Sequence, residues 1–478
     1  MTSVAMLACL LLAIGGGISF TLEGAARSTE EATPRSRRVR GLRIGIVVAA
    51  FLLTVVTLLS IGSISITQPL TQAVCLAGLS TLLVGGLLAS ERTSLARLSW
   101  NSGLLVLAAG DHPWLWWLAV SLTMVSKLAF AEGGNRSQWS PLYWVSSLLW
   151  TVGFLVWAIP LGFEVATHFA AVLVLAGLGG QLGWFPFPRV QQFDGKGNSE
   201  IAGETLLPCL TAGVVLRQLL LSHPLDESAL MTLATMTMFA LGAASLRMLR
   251  EEHLSRRLAL VSLTTLSVLC LAALLAGWEA GSPRADWAVT SNLLTGEELF
   301  LSILLCETAA WLLVAGGTAW LSSGTDGVDF EETLAGAAVR RPIASLPLMA
   351  GTLSLAGVPP FPGFFWRCGL LASLVLPYRV SQWTSLTEPH RGFWVVAVAA
   401  AVCFVLIALA HLKLFARLTF EEPFRHRGVQ RRWNTGMAVL AALVLFAGVA
   451  VRPLSVVSGA DEEEVVIGEI GDRRENAL

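Results

Sequence analysis

The chain has 478 residues, 54% of them hydrophobic and only 14% charged, against about 25% charged in soluble globular proteins. With 44 glycines added, the apolar pool fills about a dozen membrane spans of roughly 20 residues each. A soluble enzyme, a secreted disulfide scaffold and a disordered chain are excluded, and a net charge of −1 gives no electrostatic case for nucleic acid.

About fourteen stretches are long enough to cross a bilayer. They lie near residues 3–22, 42–66, 70–89, 113–131, 142–163, 165–187, 204–222, 229–249, 258–277, 299–321, 343–361, 363–378, 393–417 and 434–455. No Lys or Arg precedes the apolar run Ser3–Leu22, whereas a cleaved signal peptide carries a basic leader, so a retained first span is expected. Pro208 interrupts the span 204–222, and only a proline-rich bend separates 343–361 from 363–378. With the N-terminus outside, the links 23–41, 90–102 and 418–433 fall on the inner face and carry most of the arginines, Arg92 and Arg97 among them, as the positive-inside rule asks. Arg250, Arg256, Arg257, Arg340 and Arg341 then fall outside. After Ser458 the chain is acidic and poor in apolar residues, which reads as a solvated disordered tail.

The seven cysteines, from Cys9 to Cys403, stand singly in apolar stretches without a C-x-x-C pair, and the seven histidines are dispersed. That spacing offers no iron–sulfur, zinc or disulfide framework and no bis-histidine haem. No cofactor and no metal site is expected. If the chain serves an electron-transfer system, the electrons travel in another subunit.

A weak internal symmetry is present. Trp184-Phe185-Pro186-Phe187-Pro188 ends one span, and Pro359-Pro360-Phe361-Pro362-Gly363 interrupts another. Proline removes a backbone donor and breaks the helical ladder. Two proline-interrupted hydrophobic segments in corresponding halves point to an inverted-repeat transporter with broken helices. Pro186, Pro359, Pro360 and Gly363 are the broken-helix residues.

The second of these segments extends into a longer signature. Arg341-Pro342-Ile343, followed by Leu353-Ser354-Leu355-Ala356-Gly357-Val358-Pro359-Pro360-Phe361-Pro362-Gly363-Phe364-Phe365-Trp366-Arg367, closely resembles the R-P-x…S-L-A-G-x-P-P-x-x-G-F-x-x-K stretch of the antiporter-like membrane subunits of NADH–quinone oxidoreductase (respiratory complex I). Gly177 to Pro188, Ala212 to Arg217 and Arg256 to Ser262 are similar, in order, to further stretches of that family. The anchors cover about residues 113–417, and span number and length suit the N-type subunit. The resemblance implies an all-α polytopic antiporter-like fold with two inverted repeats. It also implies a seat beside sister subunits in a complex with a peripheral NADH-oxidising arm, in the cell inner (plasma) membrane.

The same resemblance implies a buried hydrophilic axis of titratable carriers. Such carriers must exchange protons near neutral pH, which burial and neighbouring charge can arrange for lysine and glutamate. Carried over by position, the family's glutamate falls at about Ser121, its first broken-helix lysine at Gln181, the next lysine near Pro208 and a usual histidine near Leu266. Only the last broken-helix lysine keeps a cation, as Arg367. Arginine stays charged at accessible pH and hardly relays a proton. The scaffold is expected, with most carriers replaced.

Arg367, Glu307, Lys413 and Gln181 are the remaining proton- or ion-path candidates. Each has a structural alternative. Glu307, mid-span, costs about 2.5–3.5 kcal/mol to insert on translocon scales, so a partner such as Arg367 is expected if it does not transport. Arg367 could equally tie down carbonyls freed by the proline break. Lys413, two residues after His411, snorkels or lines a path. Gln181 suits a helix–helix hydrogen bond. Lys127, Arg217 and His168 lie near span ends, where snorkelling is expected.

The expected organisation is therefore N-terminal transmembrane helices over 1–112, an antiporter-like domain over 113–417, a C-terminal transmembrane helix over 418–458 and the acidic tail over 459–478. The expected function is a non-catalytic membrane subunit of an NADH–quinone oxidoreductase-like complex with its own proton path lost or altered. Two rivals stand beside it: a structural or scaffolding membrane subunit without transport, and a free-standing secondary cation or proton transporter.

Overall fold

A computed structural model describes residues 70, 73–74, 77–78, 81, 92–110, 112–129, 136–158, 164–184, 201–223, 225–281, 295–322, 334–340, 342–383 and 391–421. Among these, every regular element is helical. The expected spans 3–22, 42–66 and 434–455, the acidic tail and Pro186 lie outside the described residues, so the number of spans is not counted here.

In chain order the helices are α1 Arg92–Ala108, α2 Pro113–Ala129, α3 Arg136–Ala158, α4 Glu164–Leu182, α5 Leu207–Ser222, α6 Glu227–Arg250, α7 Leu254–Gly281, α8 Gly296–Ser322, the short α9 Ala337–Arg340, α10 Pro342–Ala356, α11 Pro362–Trp383 and α12 Arg391–Phe420. A π-helical turn, Ala202–Leu206, runs directly into α5. Proline at the first helical turn needs no donor, so Pro208 sits at the start of α5 and does not break the span. Ala202–Ser222 is one continuous apolar helix.

One expectation is corrected. Residues 90–102, read as a link on the inner face, form most of helix α1. Arg92, Arg97 and Asn101 dilute its hydropathy, but the helix is not at the surface: Arg97, Leu98, Asn101 and Ser102 are all buried.

Helix α7 is the centre of the bundle. Its 18-residue apolar window is 100% buried, and it packs against α5, α6, α8, the π turn and α11. A helix apolar all round is stable only when other helices surround it. Around it, five helices are long and apolar enough to cross a membrane: Ala202–Ser222, Ser228–Arg250, Leu254–Glu279, Gly296–Thr318 and Phe393–Phe420. On α12, Val395, Val398, Val402, Val405, Leu409 and Leu412 recur every three or four residues and face outward. Such a stripe belongs against lipid or another apolar helix. Helices α3 and α4 meet backbone to backbone, since a Cβ on Gly177 would lie 2.5 Å from Trp150 N and 2.9 Å from Ser146 O. Small residues permit that approach between membrane helices.

The internal symmetry is stronger in the backbone than in the prolines. Helix α4 ends at Gly183 with φ 67°, and α10 ends at Gly357 with φ 69°. In each, the next amide reaches back across the helix end: Trp184 N–H donates to Gly179 O at 2.8 Å, and Val358 N–H donates to Leu353 O at 3.1 Å. This is the same glycine-capped helix terminus twice. Both half-helices are thereby cut off cleanly, and the chain is turned into its second half.

Candidate functional site

The second break is described in full. After Gly357 the chain passes through Pro359 and Pro360, joined by a cis bond, and re-enters a helix at Pro362. Gly363 packs on the end of α10 so closely that an added Cβ would overlap Ser354 O. One turn further, Arg367 points back across the break. Its guanidinium donates to Leu355 O, lies 3.8 Å from Glu307 Oε1, and is covered by the rings of Trp366 and Phe404 at 5.1 and 5.4 Å. Glu307, in the middle of α8, also accepts a hydrogen bond from Thr265 Oγ1 on α7 at 3.2 Å. Both charged residues are buried. An isolated charge at this depth would be expensive, and the pair removes that cost for both partners.

A second buried ion pair stands near the first break. Arg97 of α1 pairs with Glu204 of the π turn, and Asn101 Nδ2 donates to Gly203 O at 2.9 Å. The extra residue of a π turn shifts the following side chains around the helix, which lets α1 approach this segment. Beside Glu204, Thr205 Oγ1 donates to Ser262 Oγ of α7 at 3.2 Å. Ser262 and Thr265 are three residues apart on α7 and share a face. The face therefore runs from Thr205, next to one ion pair, to Glu307 of the other. Trp184, just past the first glycine cap, donates from Nε1 to Ser267 Oγ at 2.7 Å and fastens that break to the same helix.

The positions aligned with the family's first carriers also converge. Gln181 and Pro208 line one small crevice with Val120, Thr123, Leu178, Leu182, Thr211 and Ala212, and Ser121 is adjacent on α2. Nothing in this crevice titrates. The Thr123 and Thr211 hydroxyls turn back to Ala119 O and Leu207 O. Leu266 is buried on α7.

Other candidates lie apart. Lys413 is half-buried on α12 and, among the described residues, forms no ion pair with the axis. His411, two residues earlier, is 1% exposed, beside the carbonyl of Ala410 that accepts from Arg257 Nη1 at 2.9 Å. Arg217, expected to snorkel, pairs with Glu297 at the start of α8. His168 Nε2 meets Asp226 Oδ1 at 2.9 Å at the near ends of α4 and α6. The side chain of Lys127 and Pro186 lie outside the described residues. The sequence reading missed Arg97 and Glu204. Its available signal was a lone carboxylate at the head of an apolar run, with no hint of which arginine would meet it.

No family model matches the chain. It is 26% identical over 312 residues to NADH-quinone oxidoreductase subunit N of Polaromonas naphthalenivorans, covering 62% of this chain and 57% of that one. It is 24% identical over 270 residues to subunit N 2 of Rhizobium meliloti, covering 55% and 49%. The chain thus spans about half the length of the curated relatives it matches. Among solved structures it is similar to a chain of the membrane-bound sulfane sulfur reductase, an archaeal respiratory membrane complex, with TM-score 0.68, 14% identity and 96% of each chain covered. A chain of respiratory complex I from Thermus thermophilus matches with TM-score 0.63 and 18% identity over 95% of this chain and 97% of that one. A chain of the Mrp complex from Dietzia matches with TM-score 0.65 and 13% identity over 95% of each. The low identities carry the fold, and the curated matches carry the subunit type. Together they make this chain a divergent, subunit N-like membrane protein with the antiporter-like fold.

Proposed function

We propose that the chain is a membrane subunit of an NADH–quinone oxidoreductase-like complex in the cell inner (plasma) membrane, seated beside sister antiporter-like subunits, and that the family's usual proton stations have been replaced in it. Electron transfer on this reading belongs to other subunits of the assembly. The observation that carries the replacement is the crevice of Gln181 and Pro208, which joins α2, α4 and α5 without one titratable side chain. The lone cation kept at the second break, Arg367, is fixed by Leu355 O and Glu307. A guanidinium does not give up its proton at any accessible pH. The neutral crevice also favours a second reading, a scaffolding subunit that retains the fold without transport.

Two measurements test the proposal. The tagged chain, extracted from native membranes in mild detergent and run on a native gel, is expected to co-migrate with sister antiporter-like subunits and a peripheral NADH-oxidising arm. Migration alone or with unrelated membrane proteins refutes the assembly. Proton flux in proteoliposomes that collapses in Gln181→Ala or Arg367→Ala refutes the loss of the usual path.

A further inference from the structure

The Arg97–Glu204 pair lies away from every position at which the family resemblance places a carrier, yet it mirrors the Glu307–Arg367 pair across helix α7. Each pair sets one carboxylate against one guanidinium, and each is largely removed from solvent. Each also stands beside a broken helix: Glu204 in the π turn that resumes the chain after the first break, Arg367 just after the second. Between them lie the hydroxyls of Thr205, Ser262 and Thr265, with Thr205 donating to Ser262 and Thr265 donating to Glu307. A row of hydroxyls between two carboxylates is the skeleton of a proton path. Both of its ends are occupied by a cation that cannot deprotonate.

We infer that Arg97 and Arg367 are plugs: each holds its carboxylate, Glu204 or Glu307, out of proton exchange and so closes the hydroxyl row of α7 to protons. A proton arriving at either carboxylate would strand a bare guanidinium in the protein interior, a state far costlier than the closed pair. Arginine cannot relieve that cost by losing its own proton, whereas a buried lysine can. The hydroxyls are themselves held by carbonyls of their own helices, Thr205 by Ile201 O at 2.7 Å, Ser262 by Leu258 O at 3.1 Å and Thr265 by Val261 O at 2.9 Å. The row therefore conducts only when a titratable group at its end exchanges protons with it. A fixed arginine excluding protons is an established device in membrane pores; here two are placed at the two breaks. The inference rests on the reading that the usual carriers are replaced.

The test is passive proton entry into proteoliposomes of the purified full chain, driven by a potassium diffusion potential and read with an entrapped pH dye. Wild-type vesicles are expected to match protein-free ones. R97Q and R367Q each leave a carboxylate at the end of the row and are expected to admit protons at least tenfold faster. R97Q/E204Q and R367Q/E307Q, with no titratable group left there, are expected to return to the wild-type rate, and R217Q/E297Q, which removes the ion pair at the start of α8, to stay there. Should a glutamine variant fail to fold, R97K and R367K keep the cation in a form that can deprotonate and are expected to leak. The proposal is overturned by a wild type that conducts, by well-folded arginine variants that stay tight, or by a leak that persists in the double variants, which marks a packing defect. A tight wild type that migrates alone on the native gel keeps the plugs and removes the complex-subunit reading. A conducting wild type that co-migrates with sister subunits does the reverse.

Discussion

Replacing Gly357 with alanine tests how tightly the second break and Arg367 are built into one unit. Gly357 has φ 69°, and an L-residue in that region costs about 1–2 kcal/mol. The added Cβ would also lie 2.8 Å from Arg367 Nη1 and 3.1 Å from its Cδ. The guanidinium would have to leave the Leu355 carbonyl that it now holds; a hydrogen bond to a charged group contributes about 1.5–3 kcal/mol. The expected loss is therefore about 2.5–5 kcal/mol. Gly183→Ala is the control, since Gly183 has nearly the same φ, 67°, and no arginine folds over it; its cost is expected to stay near about 1–2 kcal/mol. The assay is unfolding of the detergent-purified chain, titrated with a denaturing detergent and followed by far-ultraviolet circular dichroism. In an Arg367→Gln background the extra cost of Gly357→Ala is expected to disappear, leaving the backbone component alone. Equal losses for the two glycines, or an unchanged difference in that background, would refute the coupling between cap and arginine.

Removing one partner of the buried pair by Arg367→Ala is expected to destabilise the chain by about 3–5 kcal/mol, and Glu307→Gln in the same chain to recover part of it, both read by the same unfolding titration. Gln181→Lys alone places an ammonium against Leu178, Leu182 and Val120 and is expected to cost several kcal/mol; adding Ser121→Glu from the adjacent helix is expected to recover part of that loss, and an unchanged loss argues against the convergence of these positions. His223 lies beyond the end of α5, where burial lowers its pKa below the usual histidine value. Below the ordinary histidine pKa the unfolded chain therefore binds the proton first, so its contribution to stability falls as pH drops through that range. His223→Gln is expected to flatten the pH dependence of unfolding between pH of about 7 and 5.5, and an unchanged slope counts against it.

Membrane character, the apolar helices and the resemblance to an antiporter-like subunit were legible in the sequence, because each rests on local information. A run of apolar residues long enough to cross a bilayer is helical almost wherever it occurs, since an unsatisfied backbone in lipid is prohibitive. The signature around Pro359–Gly363 is legible for the same reason: it records a local turn. Helix α1 was not legible, because Arg92, Arg97 and Asn101 make it look like a surface link until the partners of Arg97 and Asn101 are known. The repeated glycine caps at Gly183 and Gly357 were equally hidden, as a positive φ leaves no trace in hydropathy.

The sequence by itself determined residue type, and with it the chemistry that was lost: glutamine at 181, proline at 208 and serine at 121 cannot carry protons wherever they are placed. Only the tertiary structure decided which charges meet. Arg97 and Glu204 are 107 positions apart, and Glu307 and Arg367 lie on different helices. Thr205, Ser262 and Thr265 become a row only because the π turn and α8 pack on opposite sides of one face of α7. Pairing between distant residues follows from the packing of whole helices, and no local pattern encodes it. The cost of burying a charge states that a partner must exist; the fold alone supplies its identity.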